Sequence, residues 1–387
     1  MKTLSIQQTF KVEYSYPVIF TDGIFCIENP ILADLLKRDD GRQARALFVI
    51  DKNVADSNLT LHSHIKYYTL AHNIELASSP LIVQGGEAAK NDTQVFDQVY
   101  AKVAELAIDR HSYIIAIGGG AVIDAVGYAA ATAHRGVRFI RVPTTVLAQN
   151  DAGIGVKNGV NHLDRKNFLG TFSPPRAVIN DKRFLSTLSN RDKRSGIAEA
   201  IKVALIKDSE FFQYLFDNRM ALSIFNSTEM QHMVFRCAEL HLNHIRESGD
   251  PFELGSARPL DFGHWSAHKL EALSSYRIRH GEAVAVGMAM DVLYSFHKKM
   301  ITDEQKNQFF DLIAVLGFEL SVPELSMLDI GASLEEFREH LGGKLCITLL
   351  DGIGQSFETD SIDVDLMEYC RNSLISLSST SHALGDV

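Results

Sequence analysis

Three short motifs in the second half of the chain combine residues that can hold a metal ion. Glu199-Ala-Ile-Lys202 places an acid and a base on one helix face within an apolar segment. His264 and His268 are also one helical turn apart, and His280 opens a further apolar helix. The carboxylate of Glu199 and the imidazoles of His264 and His280 form a set typical of a catalytic zinc with one open position. Cobalt or iron accepts the same donors, so the identity of the metal stays open.

Each motif also has a simpler structural interpretation. An isolated Glu-x-x-Lys pair is more often an ion pair on the protein surface. A single histidine is more often structural than a metal ligand. His268 fits either a third histidine ligand or a residue that supports the ligands from one turn away. It is the combination of motifs in one chain that favours metal chemistry.

A glycine-rich turn in the first half predicts a nucleotide site. The apolar strand Tyr113–Ile117 runs into three consecutive glycines, and a helix with an early acid, Asp124, follows. Bare backbone N–H groups at the start of a helix can hold a pyrophosphate, although a tight turn needs glycine as well. Asp51, at the end of an earlier predicted strand, fits either a contact to a nucleotide ribose or a helix N-cap.

The elements that must position these motifs follow two different patterns. Strands alternate with helices in the first half, with strands predicted at residues 45–50, 113–117, 138–142 and 177–180. From about Thr187, apolar residues recur at the three- and four-residue spacing of helices. We therefore predict an α/β Rossmann-like NAD-binding domain over residues 1–180 and a mostly α-helical metal- and substrate-binding domain over residues 181–387. A polar loop is predicted to carry Asp151, Lys157, Lys166 and Asn167.

The composition narrows the class of partner. A formal net charge of −10 argues against a general nucleic-acid surface, so an anionic ligand needs local cations. The four cysteines lie far apart in the sequence, which fits a reducing compartment and excludes a cysteine zinc cluster. The first residues lack the apolar core of a signal peptide, and no apolar run is long enough to span a membrane. We predict a cytoplasmic protein without a nucleic-acid or membrane partner.

Taken together, the motifs resemble those of the dehydroquinate synthase-like sugar phosphate cyclases. The resemblance extends over nearly the whole chain, in order and with matching spacing, and rests on Gly118-Gly-Gly-Ala-Val-Ile-Asp124, Arg135-Gly-Val-Arg-Phe-Ile-Arg-Val-Pro-Thr-Thr145, Asp151, Lys157, Asn161-His162, Arg165-Lys-Asn167, Glu199-Ala-Ile-Lys202, Phe262-Gly-His264 and Arg279-His-Gly-Glu282. It implies an N-terminal NAD domain, a C-terminal helical metal domain, a substrate cleft between them and a homodimer.

The resemblance also implies roles for individual residues. It places NAD on Asp51, Glu87, Lys90, Gly119, Gly120, Asp124, Thr144 and Thr145. It places zinc or cobalt on Glu199, His264 and His280. The substrate phosphate is expected on Lys157, Asn167, His268 and Arg135, the last donated across the dimer in relatives. Asp151 and Lys202 are expected at the ring hydroxyls, and the predicted catalytic set is Lys202, Asp151, Lys157, His268 and Asp261.

The family reaction that this implies has no net redox change. NAD⁺ oxidises a substrate alcohol, the neighbouring C–H becomes acidic, and phosphate is eliminated. The hydride is then returned, the sugar ring opens, and an intramolecular aldol step closes a carbocycle. We therefore predict a carbon–oxygen lyase, acting on a seven-carbon ketose phosphate.

Departures from dehydroquinate synthase itself favour a substrate without a carboxylate. Ungapped alignment puts Ala257, with Arg258 one step away, and His244 at the sites of an arginine and a lysine that hold the substrate acid. Asp261-Phe-Gly-His264 looks closer to the 2-epi-5-epi-valiolone synthases, which cyclise sedoheptulose 7-phosphate, whereas Pro259 and Trp265 match neither branch.

Three alternatives differ in their chemistry. A true 3-dehydroquinate synthase would act on 3-deoxy-arabino-heptulosonate 7-phosphate. A glycerol dehydrogenase-like metal-dependent alcohol dehydrogenase would release NADH, and Arg135 with the lysines of the polar loop argues against it. A silent sugar-phosphate-binding protein needs no polarising ion, so the complete set of metal donors argues against that function.

Overall fold

The computed structural model describes residues 3–38, 40–91, 94–163, 165–247, 251–252, 260–340 and 343–381. Ala257, Arg258 and Pro259, which figure in the substrate argument, lie outside the described residues. The strands are β1 (Val18–Thr21), β2 (Arg45–Asp51), β3 (Glu75–Leu76), β4 (Leu81–Val83), β5 (Tyr113–Gly118), β6 (Arg138–Pro143), β7 (Lys157–His162), β8 (Arg165–Phe172), β9 (Ala177–Asp181), β10 (Ile347–Leu350) and β11 (Ser356–Thr359).

The helices make up most of the second half of the chain. They are α1 (Ile31–Leu36), α2 (Lys52–Ser57), α3 (Leu61–Ala71), α4 (Ala88–Asn91), α5 (Gln94–Glu105), α6 (Gly120–Thr132), α7 (Arg183–Ser186), α8 (Asn190–Lys207), α9 (Ser209–Asp217), α10 (Arg219–Ser223), α11 (Ser227–Glu247), α12 (His264–Leu273), α13 (His280–His297), α14 (Asp303–Val315), α15 (Ile330–His340) and α16 (Val364–Ser381). None of the described helices is both long enough and apolar enough to cross a membrane.

A parallel sheet of seven strands organises the first half, as the alternation of strands and helices predicts. The strand order is β1-β9-β6-β5-β2, and β3 and β4 both pair with the remaining edge of β2. Because the strands are parallel, the ends of β2, β5 and β6 meet at one edge of the sheet. Asp51, Gly118 and Pro143 end these strands, so the nucleotide motifs of the sequence come together there.

Alternating side chains of the central strands build two cores, one on each face of the sheet. In β5, Tyr113 and Ile115 pack into one core with Phe48, whereas Ile114 and Ala116 pack into the other. Both faces are buried because helices cover them, which is why the strands read as continuous apolar runs. A third and larger core lies among the helices of the second half.

The predicted polar loop is wrong for Lys157, Lys166 and Asn167, which lie in a β-hairpin formed by β7 and β8. β7 pairs antiparallel with β8, and Val160 lies opposite Leu169. Both of these side chains pack against the core that also contains residues of α6. Only one face of the hairpin is buried. The polar residues between its buried residues conceal the alternation that would have predicted strands. A second short hairpin, β10 and β11, interrupts the predicted helical half.

Candidate active site

Three helices carry the residues that the sequence predicts as metal ligands. Glu199 lies in the middle of α8, His264 begins α12 and His280 begins α13. Residues 195–206 of α8 are all buried, so Glu199 and Lys202 form a buried pair and not a surface ion pair. Their exposed side-chain fractions are 0 and 3 %.

Glycines allow these helices to approach each other closely. Gly263, before α12, has a left-handed backbone with φ of 77°, and a Cβ there would lie 2.6 Å from the backbone nitrogen of Met288 in α13. A Cβ on Gly281 of α13 would overlap the carbonyl oxygen of Ser195 in α8. Larger residues at either position would separate the helices and the ligands that they carry.

The donor atoms have the spacing of a metal site. Nε2 of His280 is 3.3 Å and Nε2 of His264 is 3.9 Å from Oε1 of Glu199. Donors that are bonded tetrahedrally to zinc are about 3.4 Å apart. Both carboxylate oxygens of Glu199 are buried without a well-directed hydrogen bond among the described residues, although Lys202 and His280 are within ion-pair distance. A divalent cation therefore fits this donor set.

Hydrogen bonds orient both imidazoles for this role. Nδ1 of His264 is 3.1 Å from the carbonyl oxygen of Phe262, which can only accept, so Nδ1 is the donor and Nε2 keeps its lone pair. Burial and the neighbouring charge of Lys202 lower the pKa of His264 well below its ordinary value. Burial alone would raise the pKa of Glu199, but Lys202 and His280 outweigh it and bring this pKa to about 2.

Glu271 supports His280 from behind, and the sequence interpretation missed it. Its Oε2 is 3.2 Å from Nδ1 of His280, and its two oxygens are 3.1 and 3.2 Å from Nζ of Lys166 in β8. A carboxylate on the second nitrogen of a ligand histidine fixes the ring and its tautomer. The available signal was the spacing, because Glu271 follows His264 by seven residues and so shares its helix face.

A second group of possible ligands, His268, Glu271 and His280, shares His280 with the first. The ammonium of Lys166 already pairs with both oxygens of Glu271, which disfavours a second cation there. The arrangement favours a supporting position for His268, one of the two interpretations that the sequence left open. His268 is exposed, and its ring centroid lies 6.0 Å from that of His280.

The predicted hydroxyl-binding residues lie beside the metal ligands. Lys202 contacts Glu199, and burial would lower its pKa, but Glu199 and Asp151 raise it above the ordinary lysine value. Asp151, in a π-helical turn at Ala148–Ala152, is 2.9 Å from Nδ1 of His241. Asp261 is close enough to Lys202 to contribute to the same shift. Lys202 therefore stays protonated and can donate to a substrate oxygen.

His241 is the second residue of this cluster that sequence reasoning missed. It lies in α11, where Met230, Val234 and Cys237 mark the buried face. His241 follows Cys237 by four residues and continues that face toward Asp151. The periodicity of α11 was the available signal. His244, which ungapped alignment puts at the site of the family's lysine, lies in the last turn of the same helix.

A cleft of about 640 Å³ extends from the edge of the sheet to His280, one of the three candidate metal ligands. Six residues of the predicted NAD set line it, namely Asp51, Glu87, Gly119, Gly120, Thr144 and Thr145, and so do Glu271 and His280. Asp51 also caps α2, accepting a 2.8 Å hydrogen bond from the backbone of Asn53, so the N-cap interpretation is confirmed. Residues of the turn before α8, including Thr187 and Ser189, line the same cleft and were not predicted.

Lys90 and Asp124, the other two predicted NAD residues, pair with each other. Their Nζ–Oδ2 distance is 2.8 Å, and Lys90 is buried. Burial would lower the pKa of Lys90, but Asp124 outweighs burial and raises this pKa, so the ammonium of Lys90 stays protonated. The pair joins α4 to α6, and neither residue lines the cleft.

A second cleft, of about 510 Å³, lies between β8 and α12. Its lining includes Asn167 and His268, both predicted to hold phosphate, together with Arg165, Lys166 and Lys269. Lys269 is paired with Glu336 at 2.6 Å, so part of this positive charge is balanced. Asn167 has a left-handed backbone with φ of 54°, a conformation that asparagine tolerates better than most residues.

Two predicted phosphate residues lie elsewhere in the chain. Arg135 follows the far end of α6, and a 13-residue helix separates it from Gly119, which is about 20 Å at the α-helical rise. His134 and Arg135 both have positive φ, 51° and 63°, so this turn is conformationally costly. Lys157 is exposed at the start of β7 and lines neither cleft.

The chain matches known proteins over most of its length. Residues 80–195 match the family described as 3-dehydroquinate synthase N-terminal, and residues 196–339 match 3-dehydroquinate synthase C-terminal. A 2-epi-valiolone synthase of Actinosynnema mirum is 34% identical over 333 residues, 85% of each chain. A 3-dehydroquinate synthase of Bacillus pumilus is 32% identical over 381 residues, 96% of this chain and 99% of that one.

The chain belongs to the 3-dehydroquinate synthase family. Among solved structures, ValA, a 2-epi-5-epi-valiolone synthase from Streptomyces hygroscopicus subsp. jinggangensis 5008, superposes with a TM-score of 0.86 at 28% identity. The match covers 96% of this chain and 100% of ValA, which was solved with NAD⁺ and Zn²⁺ bound. The family and the fold class predicted from the sequence are therefore confirmed, and the expected cofactors are those of this neighbour.

Proposed function

We propose that this member of the 3-dehydroquinate synthase family is an NAD- and metal-dependent sugar phosphate cyclase that acts on sedoheptulose 7-phosphate. The observation that carries the proposal is the position of His280. Its Nε2 faces Glu199, its ring lines the nucleotide cleft, and it stacks with His268 in the second cleft. One residue thus joins a metal site, a nucleotide site and a polar cleft.

The side chains divide the chemistry between them. When bound, NAD⁺ supplies a hydride acceptor and the metal supplies a Lewis acid for a substrate oxygen. Glu199, His264 and His280 would hold the metal. Lys202 donates a hydrogen bond to a ring oxygen, and Asp151, fixed by His241, accepts one from a neighbouring hydroxyl. Asp261 adds negative charge that keeps Lys202 protonated.

The phosphate group would be held from two chains. Asn167 and His268 lie in the second cleft, whereas Arg135 of the same chain follows the far end of α6 and does not line it. A homodimer in which Arg135 enters the partner's cleft would supply the missing cation. Lys157 stays a candidate for the same group. We also keep the division at residue 180 and the cytoplasmic location as predictions.

The substrate assignment rests on three supports. The similar Actinosynnema mirum protein is a 2-epi-valiolone synthase, and ValA is a 2-epi-5-epi-valiolone synthase. His244 stands where dehydroquinate synthases use a lysine for the substrate carboxylate. The second candidate is 3-deoxy-arabino-heptulosonate 7-phosphate, because 3-dehydroquinate synthases are comparably similar over a larger share of the chain.

Phosphate release distinguishes these functions. Purified protein with NAD⁺ and Zn²⁺ or Co²⁺ would be given each sugar phosphate separately, and absorbance would report NADH. We expect phosphate from sedoheptulose 7-phosphate alone, without net NADH. Phosphate from 3-deoxy-arabino-heptulosonate 7-phosphate alone would instead assign a 3-dehydroquinate synthase. Steady accumulation of NADH would assign a dehydrogenase, and His264→Ala serves as the inactive control.

A further inference from the structure

An arm of alternating apolar residues lies exposed ahead of β1. All even-numbered positions from 4 to 14 except Gln8 are apolar, namely Leu4, Ile6, Phe10, Val12 and Tyr14, which are 94, 90, 83, 60 and 57% exposed. Every residue from 3 to 15 is exposed, and the odd-numbered positions among them are all polar or charged. A period of two is that of a β-strand with one buried face. Several large apolar side chains together in water indicate a surface that binds a partner.

The root of this arm is linked to the β7–β8 hairpin through the ring of Phe252. The ring of Tyr14 contacts that of Phe252, with centroids 5.7 Å apart, and Phe252 contacts Phe172 of β8 at 5.5 Å. Among the described residues, β8 pairs only with β7, so its second edge is a free sheet edge. Phe168 and Phe172 alternate with the inward-facing Leu169 and are 47 and 42% exposed. The arm therefore presents apolar side chains with the period of a strand, and β8 presents apolar side chains beside an open edge.

We propose that residues 3–15 of one copy of this chain pair with the free edge of β8 in a second copy, so that two copies exchange arms. Strand addition to an open edge joins backbone hydrogen bonding to side-chain burial. The eight residues of β8 can be matched in length by the arm. The proposal concerns the interface and extends the homodimer proposed above, but it does not depend on the substrate.

A second copy is the occupant that the observations favour. In a single chain the arm stays exposed, although its root contacts Phe252, which packs on Phe172 of the hairpin. Burying its five large apolar side chains removes roughly 100 Å² each from water, so two arms bury on the order of 1,000 Å². With the outer face of β8 added, the total reaches the range of stable dimers, about 1,200–2,000 Å².

The position of Arg135 supports the same arrangement. A small cleft of about 230 Å³ is lined by Tyr14 and Ser15 of the arm and by Ala131 and Val137, on either side of the Arg135 turn. β8 runs from Phe172, beside the arm, to Asn167 in the second cleft, which is roughly 17 Å for an extended strand. Exchanged arms would therefore bring the Arg135 turn of one copy toward the phosphate residues of the other.

Charges on the apolar side of the arm test the proposal in the full-length protein. Sedimentation velocity over a range of concentrations would compare wild type with Phe10→Asp/Val12→Asp. The matched control is Gln7→Asp/Thr9→Asp, which adds the same two charges at odd-numbered positions. We expect a wild-type dimer, a dimer dissociation constant raised about 100-fold or more in the apolar-side variant, and less than about threefold change in the control.

Hydrogen exchange identifies the edge and the chain that covers it. Backbone amides of residues 165–172 should exchange slowly in the dimer and quickly in Phe10→Asp/Val12→Asp or after dilution to monomer. A wild-type monomer, or an unchanged dimer with both charges present, would overturn the proposal. Protection of β8 that persists in the monomer would mean that the arm pairs within its own chain. If the protein releases phosphate but fails the interface test, the cyclase proposal stands and the arm exchange is refuted. If the interface is confirmed but no phosphate is released, the arm exchange stands and the cyclase proposal is refuted.

Discussion

Replacing Glu271 with glutamine should weaken metal binding without removing a metal ligand. The carboxylate lies 3.2 Å from Nδ1 of His280, whose Nε2 faces Glu199 at 3.3 Å. Glutamine keeps the size and one acceptor oxygen, but it removes the negative charge and turns an amide toward Lys166. Loss of such a supporting partner costs about 10–100-fold in metal affinity, or about 1.4–2.7 kcal/mol. We expect the Kd for Zn²⁺ to rise by that factor.

The assay is competition between metal-free protein and a chromophoric chelator, at constant pH and ionic strength. Visible absorption of the Co²⁺ form provides a second readout, because a reoriented His280 changes the ligand field. Glu336→Gln is a suitable control. Glu336 of α15 pairs at 2.6 Å with Lys269, which lies in α12 as Glu271 does, but the side chain of Glu336 is 65% exposed. A Glu271→Gln protein that binds Zn²⁺ within threefold of wild type would refute the supporting role, whatever its activity.

Three further predictions address the metal, the nucleotide cleft and a buried acid. His264→Ala should abolish turnover and lower bound metal by at least tenfold in elemental analysis, with an unchanged circular dichroism spectrum. In Gly85→Ala the new Cβ would overlap the carboxylate of Asp51. We expect the affinity for NAD⁺ in calorimetry to fall about tenfold and the free energy of unfolding to fall by about 1–3 kcal/mol. Gly331→Ala is the control and should leave both quantities unchanged. Burial raises the pKa of Asp291 from 3.8 to about 7, so between pH 4 and 7 the folded state holds a proton that the unfolded chain has lost. The free energy of unfolding measured in urea should therefore fall as pH rises through this range, by at most about 1.4 kcal/mol per pH unit. This slope should be missing in Asp291→Asn.

The sequence was sufficient to find the three candidate metal donors that the structure brings together, because each lies in a motif with helical spacing. His264 follows a left-handed Gly263, and His280 opens α13, where it was predicted. The buried strands could also be recognised, since a sheet covered on both faces needs continuous apolar runs. These features are local, so a single stretch of chain contains all the information that they require.

The features that the sequence did not reveal depend on contacts between distant segments. The carboxylate of Glu271 meets both His280 and Lys166, and Lys166 lies 105 residues earlier in the chain. His241 approaches Asp151 from another helix. The Glu199–Lys202 pair resembles a surface ion pair until the packing of α12 and α13 shows that it is buried. Helix spacing places such residues on a face, but it does not say what that face meets.

The charges around Lys202 give a physical reason for a cation at this site. Glu199, Asp151 and Asp261 are three carboxylates that interact with the single ammonium of Lys202, which leaves two negative charges. Burial would raise the pKa of Glu199, and a buried charge without a partner is costly. In the metal-free chain, His280 compensates in part, because Glu199 and Glu271 outweigh the effect of burial and raise its pKa to about 9. A divalent ion would replace that proton and balance the remaining charge. Without the metal ion, this cluster of buried charges lowers the stability of the fold, and with the ion its net charge is close to zero. Such a cluster is expected where metal binding, and not stability, has determined which residues are present.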